Sequence, residues 1–160
     1  MKKLNKKGTL RIDKKTKDIF SRLNPGEIAI INHPDLDEVA AEGLLKQRVK
    51  AVINTAPFTT GHYPNKGPEL LIRNKVPLIE LSDTTIFSLV KEGKVIEIKN
   101  EEIWYENTKI LTGKILSREN VSQKKQLAND NMSHLLDNFV QNTLDYALKE
   151  KDLILGGVNF

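Results

Sequence analysis

The chain has 160 residues, of which 39% are hydrophobic and 29% are charged, which is enough apolar material for one domain with a single core. It contains no cysteine, so disulfides, thiolate nucleophiles and cysteine-ligated metal centres are excluded. The formal net charge is +4, and the basic excess is concentrated near the N terminus.

Residues 1–15 are rich in lysine and carry no aromatic residue, so we interpret them as a basic, flexible tail. Without a recognition motif, the tail predicts no specific nucleic-acid partner. No apolar stretch follows the charged start, and no run of about 18 apolar residues occurs anywhere in the sequence. We therefore expect a soluble, cytoplasmic segment.

A short helix is predicted over residues 16–23, because its apolar side chains share one face and the turn sequence Asn24-Pro25-Gly26 follows. Residues 27–32 form a short apolar run, which is typical of a strand covered on both faces. Asp35 and Glu38 resemble a capping box. The sequence therefore predicts a second helix that begins at Asp35.

The alternation of strands and helices continues to about residue 80. Residues 49–54 and 76–80 are predicted strands, with a short helix over 68–72 between them, and this order favours parallel pairing. From Lys94 onward, three short apolar segments are separated by turn residues, a pattern typical of a β-meander. We predict an α/β domain over 16–117, with a small, mostly parallel sheet flanked by helices as in swivelling domains, and an added meander.

Residues 118–152 are predicted to form one long amphipathic helix, because residues 121–151 contain neither proline nor glycine. Its second half carries a continuous apolar stripe, which either packs on its own domain or pairs with a partner helix. We expect a homodimer, and the predicted interface residues are Leu136, Phe139, Val140, Thr143 and Leu144. Residues 153–160 are predicted to begin a linker to a further domain.

The densest group of polar and small residues follows the predicted strand 49–54, at the position where parallel α/β sheets bind ligands. The candidate ligand-binding residues are Asn54, Thr59, Thr60, Gly61, His62, Tyr63, Asn65, Lys66 and Gly67. Glycines permit close backbone approach, and the helix start at Pro68 attracts anions, so the expected ligand is a phosphate or sulfate and no cofactor is predicted. An ordered loop without any ligand is the alternative.

The sequence contains little that indicates catalysis. His33, Asp35 and Asp37 alternate like metal ligands, but the capping role of Asp35 explains them structurally, and we predict no metal site. The glycine spacing of nucleotide sites and the motifs of common hydrolases are missing. We therefore assign no catalytic residue and predict a regulatory or assembly module. The alternative is an enzyme domain that transfers phosphate through His62 or assists a nucleotide-handling domain downstream.

Four segments carry a resemblance to a known family: RLNPGEIAIINHPDLD at 22–37, VINTAP at 52–57, TGHYPNKGP at 60–68 and FVQNTLDYA at 139–147. They resemble SteA-type cytokinetic ring proteins, a family with a thiamin pyrophosphokinase-like domain. The resemblance implies that the chain is the N-terminal module of a protein of cell division or cell separation. It further implies a downstream pyrophosphokinase-like domain, membrane-spanning segments, and a cell-division or membrane-associated partner.

Overall fold

The computed structural model describes residues 3–62 and 64–158. Its strands are β1 Asn5–Ile12, β2 Ile28–Ile31, β3 Ala51–Asn54, β4 Leu78–Glu80, β5 Val95–Lys99, β6 Glu102–Tyr105, β7 Thr108–Thr112 and β8 Lys114–Ile115. Its helices are α1 Thr16–Ile19, α2 Glu38–Lys46, α3 Gly67–Arg73, α4 Ile86–Leu89 and α5 Arg118–Val158. The strands form one eight-stranded sheet in the order β7-β6-β5-β1-β2-β3-β4-β8.

The centre of the sheet is parallel and buried on both faces. Strand β2 shows why, since its four residues are all apolar and all buried. Ala29 and Ile31 pack on the side that also receives apolar residues of α1, α2, α3 and the start of α5, whereas Ile28 and Ile30 pack with α4 and the meander. This alternation follows from the two-residue period of a strand, and it gives the domain a core on each face of the sheet.

The prediction of a mostly parallel sheet is wrong. The pairs β1–β2, β2–β3 and β3–β4 are parallel, but β1–β5, β5–β6, β6–β7 and β4–β8 are antiparallel. The meander was predicted correctly, and it joins the sheet because β5 runs antiparallel beside β1. The α/β class and the strand–helix–strand units are confirmed, whereas the sheet as a whole is mixed.

The prediction of a flexible tail over residues 1–15 is also wrong, because β1 occupies the middle of the sheet between β2 and β5. The strand was not predicted because its sequence is rich in lysine and lacks an apolar alternation. Leu10 is its one fully buried residue. Arg11 is held by an ion pair to the buried Glu27, with Nε 3.0 Å from Oε1. A basic sequence therefore forms a central strand of the sheet.

The second helix begins later than predicted. Asp37 is the N-cap of α2, and its Oδ1 accepts a hydrogen bond from Ala40 N at 2.7 Å. Asp35 has a positive φ of 50° and does not cap the helix. Instead, its carboxylate accepts hydrogen bonds from the backbone N and the hydroxyl of Thr60. The capping-box prediction is therefore wrong: the N-cap lies two residues later, and Ala40, three positions beyond it, cannot complete a box.

Among the described side chains of the long helix α5, those that are buried or partly buried lie between Asn120 and Met132. Val121 and Ala128 are buried, and Lys125 Nζ lies 3.0 Å from Glu69 Oε2 on α3. The helix runs on to Val158, so the backbone at 153–158 is helical where a linker was predicted. Within the described residues, no helix is both long and apolar enough to cross a lipid bilayer.

Candidate functional site

The carboxyl ends of the four parallel strands meet at one edge of the sheet, where α/β proteins usually bind ligands. Loops emerge at this edge at residues 13–15, 32–37, 55–62 with 64–66, and 81–85. The third of these loops contains most of the residues that the sequence predicted as a ligand site. The structure gives the described members of this set four different kinds of environment.

The first group has a structural role. Asn54 is fully buried, and its side chain bonds both the backbone N and the carbonyl of His33. Asn65 Nδ2 donates to the carbonyl oxygens of Leu36 and Phe58, each at 3.0 Å. At Gly67, a Cβ would overlap the Leu36 carbonyl, so a glycine is required for α3 to start this close to the preceding loop. These three residues hold the loop in place.

The second group lies under the start of α5. Gly61 has a φ of +82° and is buried, and its carbonyl accepts a hydrogen bond from Asn131 Nδ2 at 2.6 Å. The side chain of Leu127 occupies the space that a Cβ at this position would need. Thr60 is bound to Asp35 through its hydroxyl. Helix α5 therefore covers the glycine that the sequence suggested as an approach point for a ligand.

The third group points to solvent. His62 and Lys66 are exposed, and the His62 ring makes no hydrogen bond to the described residues. Tyr63 lies outside the described residues. None of the described residues forms a hydrogen bond that would orient the imidazole for phosphate transfer.

The remaining predicted residue, Thr59, lines a cleft of about 270 Å³ between the sheet edge and α5. The hydroxyl of Thr59 is buried, and it is the one buried side-chain polar atom in the described residues without a hydrogen-bond partner. The other residues around the cleft come from β4, the β8 region and the first turns of α5; they are Glu80, Lys114, Leu116, Asn120, Gln123, Lys124 and Leu127. Sequence reasoning missed them because they lie more than 20 residues from Thr59 in the chain.

A second and more open cleft, of about 540 Å³, lies between α1 and the start of α2. Lys14, Lys17, Phe20 and Val39 are among its lining residues, so its walls are apolar and its rim is basic. His33 also faces this cleft, and its Nδ1 is 2.7 Å from the buried hydroxyl of Thr16. The imidazole is thus fixed in position by the protein itself.

The structure provides no grouping of metal ligands around His33. Its Nε2 is 4.0 Å from Asp37 Oδ2, but the Asp35 carboxylate is bonded to Thr60 instead. Throughout residues 3–62 and 64–158, no set of three histidine or acidic side chains is placed to hold a metal ion.

Charged side chains fix the loop after β1. Arg22 donates to Glu92 at 3.1 Å and to Asp13 at 3.1 Å, and the Glu92 carboxylate also accepts from the backbone N of Ile12. Burial disfavours the charged form of Glu92, but these hydrogen bonds outweigh that effect and keep its pKa below the usual range. The network joins the end of β1 to the segment after α4 and holds this loop in place.

No protein family and no curated protein matches the chain. Among solved structures, a 3-isopropylmalate dehydratase from Methanocaldococcus jannaschii is similar over 81% of this chain and 99% of its own, with 15% identity and a TM-score of 0.49. RraAS2 from Streptomyces coelicolor, an unusual member of the RNase ES inhibitor RraA family, shares 9% identity over 87% of this chain and 77% of its own, with a TM-score of 0.40. A cellulase from microbes associated with the gut ecosystem shares 7% identity over 84% of this chain and 68% of its own, also with a TM-score of 0.40. Likenesses this distant assign neither a family nor an activity to the chain.

Proposed function

We propose that this chain is a non-catalytic binding and assembly module that pairs with a second copy through the distal part of α5. The observation that carries the proposal is an exposed apolar face on a helix that its own domain leaves uncovered. Leu136, Phe139, Val140 and Leu144 are 56%, 68%, 53% and 54% exposed. A contiguous apolar face of this kind is typical of a protein–protein interface.

The spacing of the face favours pairing with an identical helix. Met132, Leu136, Val140, Leu144 and Leu148 recur every four residues, so they form one ridge centred on Val140. In an antiparallel pair with two-fold symmetry, Val140 meets its own copy and Leu136 meets Leu144. Such an interface is self-complementary, as a symmetric dimer requires.

Charge supports the antiparallel direction. Lys151 continues the apolar stripe at helical spacing from Val140 and Leu144, and Asp130 lies beside its other end. A parallel pair in register would place the two copies of Lys151 opposite each other. An antiparallel pair brings Lys151 of one copy towards Asp130 of the other, and it also opposes the two helix dipoles.

The same module fits the role that the sequence resemblance implies. In a SteA-type protein it would act in cell division or cell separation, with the α/β body as the binding part and α5 as the element that joins two copies. Parts of two motif segments support this reading, because residues 32–37 lie in a loop at the carboxyl edge of the sheet and the Gly61 carbonyl accepts a hydrogen bond from Asn131 on α5. The cell-division partner and the downstream membrane attachment rest on that resemblance.

Sedimentation equilibrium of the intact chain tests the pairing. We expect a dimer, and we expect Phe139→Glu to give a folded monomer because it places a charge within the apolar face. Asn138→Glu is the matched control, since it adds the same charge on the opposite, exposed face and should remain dimeric. A wild-type chain that stays monomeric at high concentration would overturn the proposal.

Single cysteines test the direction of the pair, because the natural chain has none. In an antiparallel dimer, Val140→Cys should oxidise to a covalent dimer, and Leu136→Cys should cross-link to Leu144→Cys in a mixture of the two variants. A disulfide formed readily by Lys151→Cys alone would indicate the parallel arrangement.

A further inference from the structure

We propose that the cleft around Thr59 binds a small oxyanion, such as a phosphate group, through Thr59, Lys114 and Lys124. This site is separate from the pairing face, because all its lining residues lie between positions 59 and 127. The inference therefore stands whether or not α5 forms a dimer. Lys114 and Lys124 were not among the ligand residues expected from the sequence.

The first argument is the state of the Thr59 hydroxyl. Thr59 is 8% exposed, and its Oγ1 has no hydrogen-bond partner within the described residues. A buried polar group without a partner destabilises a folded protein, so nearly all such groups are paired. Among the described residues, the one buried hydroxyl without a partner belongs to a residue that lines a cleft, which indicates that a bound group completes its hydrogen bonding.

The second argument is the charge around the cleft. Lys114 and Lys124 make no salt bridge or side-chain hydrogen bond to any described residue, unlike Lys125, which is paired with Glu69. The acidic residue of the cleft, Glu80, uses Oε1 to accept from the backbone N of Phe58 at 2.8 Å. With two lysines against one glutamate, the cleft carries a positive balance that favours an anion.

The third argument is the supply of neutral hydrogen-bond donors. Asn120 uses its Oδ1 to accept from the Ser117 hydroxyl at 2.8 Å, so its amide group remains available as a donor. Gln123 adds a second amide at the same rim. Lysine, hydroxyl and amide donors around a site at the carboxyl edge of a parallel sheet match the acceptor oxygens of a phosphate group.

The cleft shares Thr59 with the anion site expected from the sequence, but its other lining residues come from other parts of the chain. Glu80 and Lys114 are register partners in the β4–β8 pair, and Asn120, Gln123 and Lys124 come from the start of α5. The fold thus carries distant residues to the loop after β3. His62 and Lys66, the charged residues adjacent in sequence, do not line this cleft.

Titration of the isotopically labelled full chain with inorganic phosphate, followed by NMR, tests the site. At constant ionic strength we expect saturable shifts at Thr59, at Lys114 and at the backbone amides of Asn120 and Lys124. Thr59→Val keeps the shape of the side chain but removes the hydroxyl, and Lys114→Gln removes one charge. Each should weaken phosphate binding by about tenfold, because each removes one hydrogen bond to a charged group.

Lys66→Gln and His62→Ala are the controls, and both should bind phosphate as the natural chain does. Absence of saturable shifts, shifts that chloride reproduces at the same ionic strength, or loss of binding in the two controls would each overturn the assignment. Because Phe139→Glu should still bind phosphate, failure of this site and failure of the pairing proposal can be told apart.

Discussion

The side chain of Asn54 forms hydrogen bonds with both backbone polar groups of His33. Asn54 Oδ1 accepts from His33 N at 3.0 Å, and Nδ2 donates to the His33 carbonyl at 2.9 Å. The same Oδ1 also accepts from the backbone N of Ala56 at 3.0 Å. One fully buried amide therefore joins the loops that follow β2 and β3 and fixes the carboxyl edge of the sheet.

Replacing this amide should be costly. Asn54→Leu keeps the approximate volume but leaves the polar groups of His33 and Ala56 without a partner, so we expect the free energy of unfolding to fall by about 3 kcal/mol. Urea unfolding followed by the fluorescence of Trp104, the single tryptophan, measures the change. Asn142→Leu on the exposed face of α5 should change it by less than about 0.5 kcal/mol. Equal effects for the two variants would contradict the anchoring role.

Gly67 should tolerate no side chain. A Cβ at this position would collide with the carbonyl groups of Leu36 and Asp37, which belong to the backbone and cannot rotate away. We expect Gly67→Ala to lower the free energy of unfolding by roughly 1–3 kcal/mol, as overpacking does in other proteins. Ser133→Ala, on the exposed part of α5, is the comparison and should be close to neutral in thermal unfolding.

Removal of the N-terminal segment distinguishes a central strand from a basic tail. Deletion of residues 1–12 removes β1, exposes one edge of β2 and detaches the meander that pairs through β5. We expect this variant to lose cooperative unfolding and the dispersed NMR spectrum of a folded domain. Deletion of residues 1–3 leaves the strand intact and should have little effect. A folded, cooperative chain without residues 1–12 would show that β1 is dispensable.

Acid should loosen the attachment of α5 to the body. The hydrogen bond from Lys125 is the largest influence on Glu69 and lowers its pKa, with Arg73 adding to the effect. A carboxylate whose pKa is lower in the folded state stabilises it above its ordinary pKa, and this contribution is lost as pH falls through the lowered value. We therefore expect NMR contacts between Val121 and α3 to weaken below about pH 4. Glu69→Gln carries no titratable group and should lack this pH-dependent step.

The sequence alone determined the elements whose apolar residues recur without interruption. Strand β2 has four buried apolar residues in succession, and the meander has short alternating segments between turn residues, so local patterning was sufficient for both. The exposed stripe of α5 was also readable, because a helical period of apolar residues over several turns is a strong signal. The sequence did not decide what covers that stripe, since a helix shows the same pattern whichever surface it packs on.

Only the tertiary structure decided the features that depend on residues far apart in the chain. Strand β1 has one fully buried side chain, so its place in the sheet comes from pairing with β2 and β5 and not from its own pattern. Asp37 is the N-cap of α2 because the Asp35 carboxylate is bound to Thr60, a residue 25 positions later. The Thr59 cleft likewise joins a loop, a strand pair and a helix, and such a site depends on long-range packing that local propensity does not specify.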